Sequence, residues 1–131
     1  MSTPLGDREL LRGFEAGTLV EFHHRDHVRA AWLYVRREPL LRAVERFASD
    51  LRRFALAKGA PGLYHETLTF GFLFLVHERL GAPGEDFESF AARNPDLLTW
   101  KPSALDRYYH RETLASERAR RSFVMPDRLS P

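Results

Sequence analysis

Cysteine is absent from this chain, and lysine occurs only twice, at Lys58 and Lys101. Without cysteine there is no disulfide and no thiolate zinc site. Any metal must then be held by His, Asp or Glu. A cysteine-free chain also fits a reducing compartment, so a cytoplasmic location is expected. Long apolar runs are missing too. The longest, 70–76, is far shorter than the ~20 residues that cross a bilayer. The first seven residues show no basic stretch followed by an apolar one, so no signal peptide is read there.

A surplus of either charge is lacking as well. The formal net charge is +2, and the acids are interleaved with arginines. A dedicated nucleic-acid binder carries a basic patch on one face. Arg42, Arg46 and Arg53, with Arg118, Arg120 and Arg121, are the candidates for such a face. Most such faces are merely solvated, and nucleic acid is not an expected partner.

What the chain does have is core material. It is 44% hydrophobic, with ten Phe, four Tyr and two Trp, enough for a packed interior. Its 131 residues suit a single domain, read here as 1–131 with a tail from about 126. No repeat or low-complexity tract interrupts it.

Proline and glycine divide the sequence into helical segments. A short helix is expected over 7–15, with Asp7 as N-cap and Gly17 beyond its end. A long helix is expected over 23–37. There His24, His27, Val28, Ala31 and Val35 share one arc, while Leu33 lies elsewhere. A second long helix, 40–57, carries Leu40, Val44, Phe47, Leu51 and Phe54 or Ala55 at the 3–4 spacing of an amphipathic face. The Gly59-Ala60-Pro61-Gly62 turn ends it. A third helix is read over 63–80, capped by Gly81. Its middle is apolar on nearly every side, as for a helix surrounded by others. A buried strand is the rival reading, set aside because the segment is long and its period is not two. Shorter helices are expected over 86–93, from Pro102-Ser103 to Leu114, and over 116–123. The fold class is therefore all-α: a bundle of three long antiparallel core helices with short helices at either end.

This topology brings chemistry together. Short connections at Pro39 and at the Gly-Pro-Gly turn make successive helices antiparallel, so the first and third long helices run parallel. At ~1.5 Å per residue the three helices are of similar length. The starts of the first and third then fall at the same end. His24 and His27, at i and i+3, meet His65 and Glu66 there. His24, His27 and His65 are candidate ligands of a divalent metal. Zinc, iron, manganese and nickel all suit mixed His and carboxylate donors. Three protein ligands would leave a position for a reactive water. Glu66, about 100° from His65 around the helix, is the candidate catalytic residue as general base, or a fourth or second-layer partner. His23 is an alternative to His24, or a helix cap. Asp26 is expected to serve the helix dipole.

The same end also fits an anion without a metal. Two helix N-termini with unpaired N–H groups, plus histidines and Arg25, suit a carboxylate or phosphate. His77 lies about 16 Å along its helix from Glu66 and cannot share the site. Tyr108, Tyr109 and His110 join the site only if their segment reaches that end. Gly71 inside a helix points to close packing, or to room for a ligand.

The runs Phe22-His23-His24-Arg25-Asp26-His27-Val28-Arg29-Ala30-Ala31-Trp32 and Tyr64-His65-Glu66-Thr67-Leu68-Thr69 resemble those of small all-α bacterial proteins without an assigned activity. The C-terminal run from Tyr108-Tyr109 through Ser116, Arg120, Phe123-Val124 and Pro126-Asp127 does so too. His23 departs from that pattern, which has Thr there. The resemblance implies no reaction, cofactor or residue role. The functional expectation is a small-molecule site, metal-dependent or not, with hydrolytic or acid–base chemistry if catalytic. A non-catalytic ligand-binding or accessory protein is the alternative.

Overall fold

The computed structural model describes residues 5–128, so the expectation for the first four residues lies outside it, as does the last part of the expected tail. The described residues form α-helices and short 3-10 turns, with no strand among them. The all-α class is thus observed, and the strand reading of the third segment falls away.

Helix α1 spans Asp7–Ala16. Gly6, rather than Asp7, sits at its N-cap, and the Asp7 carboxylate accepts instead from Arg29 Nε of the next helix at 3.0 Å. Gly17 ends α1 with φ 73, a conformation that costs glycine nothing. Phe14 of α1 is fully buried among Phe22, Tyr34, Phe47 and Phe54, which ties the first helix into the centre.

Helices α2 (His24–Arg37), α3 (Leu40–Ala57) and α4 (Glu66–Glu78) pack against one another in all three pairings. The α2 and α3 bounds follow the hydrophobic period. α4 is shorter than the 63–80 expected, because Pro61–Leu63 forms a separate 3-10 turn and Arg79, not Gly81, caps the end. The single-arc reading of α2 needs correction as well. Leu33 is only 1% exposed, and Ala30 to Val35 are all buried. Packing from α1, and Trp32 meeting Phe87 and Phe90 of α5 (Phe87–Arg93), covers faces that the period leaves open.

α4 is surrounded as its composition predicts. It meets α2 and α3, the 3-10 turn Ala104–Arg107, and α7 (Glu117–Arg121). A Cβ added at Gly71 would come 2.9 Å from Leu105 Cδ1, so close packing is what requires that glycine. Thr67, fully buried on α4, donates to the Ser122 carbonyl and accepts from the Val124 N–H.

The segment expected as one helix from 103 to 114 is broken. After the 104–107 turn the chain bends at Tyr108–His110 and resumes as α6 (Arg111–Leu114). The reason is the segment read as a tail. Asp127 and Arg128 both donate their N–H to the Tyr108 carbonyl, and the Asp127 carboxylate accepts from His110 N–H and the Thr113 hydroxyl. Through residue 128 the tail is a strap, tied across the bend it causes.

No described helix is long and apolar enough to cross a membrane.

Candidate functional site

The three long helices do not close completely. Between them lies a cavity of about 280 Å³, and His24, His27 and His65 all line it. Of the four residues expected to meet, these three histidines border one cavity and Glu66 does not. His77, exposed in the last turn of α4, is not part of it. Val28 and Ala31 of α2, Leu51 and Phe54 of α3, and Leu68 and Phe72 of α4 supply apolar walls.

Each histidine has a definite task. His65 stands at the N-cap of α4, one position before the helix. Its Nδ1 accepts the Leu68 N–H at 3.1 Å, satisfying one of the orphan donors of the first turn. Nε2 must then carry the proton, which it donates to the Leu114 carbonyl at 2.7 Å. Both nitrogens of this neutral imidazole are committed, and a metal at His65 would have to break one of those bonds. His24 opens α2 and pairs Nε2 with the Leu97 carbonyl at 2.8 Å, which leaves only Nδ1 as a lone-pair donor. Its ring lies 5.5 Å from Phe72 and 5.2 Å from Trp100. His27 stacks on Phe22 at 4.0 Å. Its pKa is lowered to about 4 by burial first and by His24 second, against the opposing pull of Asp26 and the Phe22 carbonyl. It is therefore a neutral imidazole at physiological pH.

Among the described residues, no three His, Asp or Glu side chains are arranged to hold a metal ion. Glu66 also departs from expectation, because it does not line the cavity. Its carboxylate accepts from the Tyr64 hydroxyl and from Arg52 Nη1 of α3 at 3.3 Å. His65 lies in extended backbone just before the helix and lines the cavity, while Glu66, the first helical residue, pairs with Arg52 of α3. Arg25, expected beside a bound anion, turns away to Glu88 at 2.6 Å and lies over the Phe87 ring. His23 is the cap of α2, and its N–H donates to Asp26 at 3.0 Å, so Asp26 closes the helix start. Tyr108, Tyr109 and His110 stay outside the cavity. Tyr109 is buried and donates to the Val124 carbonyl.

No known family, curated protein or solved structure matches this chain.

Two lining residues escaped the sequence reading. Lys58 caps the end of α3, and its ammonium lies 5.6 Å from the Phe54 ring. Trp100, 49% exposed, stacks on Phe72 at 6.3 Å in the stretch after the Pro95–Leu98 turn. Their only sequence signals are rarity, as one of two lysines and one of two tryptophans. Both sit outside helices, where periodicity assigns no direction. Lys58 is the one side chain of fixed charge on the lining, which includes no Asp or Glu.

The arginines considered as a basic face are largely spent within the protein. Arg46 pairs with Glu38 at 2.6 Å, Arg53 with Asp50 at 3.0 Å and Arg121 with Glu117 at 3.1 Å. Arg120 donates to the Gly62 carbonyl.

Proposed function

We propose that this chain binds one small, mostly apolar molecule in the cavity between α2, α3 and α4, without a metal. The observation that carries the reading is the cavity itself. Three packed helices leave about 280 Å³ unfilled, walled by Leu, Phe and Val side chains with only a few polar groups. Its volume is near the lower edge of the ~300–1,000 Å³ common for ligand pockets. Leu51, Leu68 and Phe72 lie only half buried against it, apolar surface that a ligand would cover. Arg36, in the last turn of α2, donates to the Pro83 carbonyl beyond the end of α4. That contact, with His24 and His65 sharing the cavity, supports the parallel course of α2 and α4 within an antiparallel three-helix core.

The imidazoles favour binding over chemistry. A general base works best with a pKa near the operating pH, and burial holds His27 at about 4. The hydrolytic, metal-dependent reading would need His65 to give up its cap and Glu66 to leave Arg52. A ligand-binding or accessory role, in a cytoplasmic setting and among the small all-α bacterial proteins that the sequence resembles, is the reading we adopt.

Titration of untagged protein with the neutral probe butylbenzene, followed by calorimetry, tests it. One-site saturable binding is expected, and it should be abolished by Ala31→Phe, which places a large side chain in the cavity. Absence of binding would overturn the proposal. Stoichiometric zinc, iron, manganese or nickel retained by the native protein and lost in His24→Ala and His65→Ala would replace it with the metal reading.

A further inference from the structure

We propose that the natural ligand is an apolar monoanion, such as a medium-chain or aromatic carboxylate, with its tail in the cavity and its acid group beside Lys58. The inference rests on the pocket reading above and adds the ligand's charge. It follows from what surrounds the cavity. Lys58 carries the one fixed charge on the lining, and the lining includes no carboxylate to neutralise it. The nearest acid along α4, Glu66, is held by Tyr64 and Arg52 and does not line the cavity. Desolvation in an apolar cleft penalises a cation most where no anion is present to pair with it, and it favours an anion where a cation waits.

Position supports the same conclusion. Lys58 is exposed at the end of α3, so its ammonium can remain partly hydrated while its stem lies against apolar surface. Leu63, 80% exposed, belongs to the same turn region and also lines the cavity. A ligand entering past these two side chains would meet an apolar edge and a positive charge together. The interior then offers hydrocarbon walls, His65 with both ring nitrogens committed, His24 with Nε2 committed, and a neutral His27. This is the arrangement of an amphiphile site: a charged end at the rim and an apolar body within.

Binding of octanoate, 1-octanol and octylammonium to the intact protein, followed by calorimetry and by Trp100 emission, tests the inference. Octanoate should bind about 3- to 10-fold more tightly than octanol, as for one partly exposed charge-assisted contact. Octylammonium should bind weakest. In Lys58→Met, which keeps an apolar stem at an exposed position, the ratio of octanoate to octanol affinity should fall to one or below. Equal binding of octanoate and octanol to the native protein would overturn the charge assignment and leave the pocket intact. An octanoate preference that survives in Lys58→Met would overturn the role of Lys58. Failure of all three to bind would remove the pocket reading itself.

Discussion

At the scale of single residues, the histidines show how position changes meaning. Loop length and helix order led to the expectation that His24, His27 and His65 lie near one another, and the three do border one cavity. Their chemistry was not legible, because it depends on carbonyls distant in sequence. Leu114 and Leu97 each claim an Nε2, and no periodicity predicts those contacts. The start of α4 moved by a few residues, and that shift turned His65 from a helical side chain into an N-cap. His27 yields a prediction from its own burial. Its folded pKa of about 4 lies below the ordinary 6.5, so the unfolded chain binds the proton more readily. The stability contributed by keeping His27 neutral is therefore full above pH 6.5 and is lost as the pH drops from 6.5 to 4, where the loss levels off. The span corresponds to about 3 kcal/mol. Urea unfolding across pH 4–7 should show a steeper fall for the native protein than for His27→Leu. Parallel curves would mean that His27 is protonated equally in both states.

At the scale of elements, the long helices and the short ones expected over 86–93 and 116–123 were readable, and the 103–114 segment was not. α2 and α3 carry their own signals: a run of 3–4 spaced apolar residues, and a Gly/Pro stop. The 103–114 segment has enough helix formers to be read as one piece, but its middle is bent by partners from 124–128. Tyr109 is drawn inward to the Val124 carbonyl, and Tyr108 gives its carbonyl to two N–H groups of the strap. Asp127 is the centre of that strap. Its carboxyl is held below the ordinary range by the Thr113 hydroxyl first and by the His110 N–H second. Asp127→Ala removes both acceptor contacts at an exposed position. It should raise hydrogen exchange and tryptic cleavage across 107–121 while α2 and α3 stay protected. Unchanged exchange there would show that Tyr109 and Val124 hold the bend without Asp127.

At the scale of the whole molecule, the bundle holds two kinds of interior. One is dense: Phe14, Leu33, Phe90 and Leu97 are fully or almost fully buried in contact with the main core. The other is the cavity, where Leu51 and Phe72 keep part of their surface exposed. The sequence pattern cannot distinguish them. Leu51 sits on the apolar face of α3 as surely as Val44 does, and only the fit of three helices decides which side chain meets a partner and which meets a void. A charge placed in each interior should therefore have different effects. Leu33→Asp buries a carboxylate with no water and no partner, and it should unfold the protein or leave it insoluble. Leu51→Asp puts the same group on the wall of a partly open cavity that Lys58 also lines. It should keep the helical circular dichroism and a cooperative melt, at a modestly lower temperature. Its apolar ligand binding should be lost, because the wall is now charged. Comparison of the melts of both variants with and without butylbenzene checks this. Equal collapse of the two variants would mean that Leu51 belongs to the dense core and that the three helices close more tightly in solution than a ligand pocket requires.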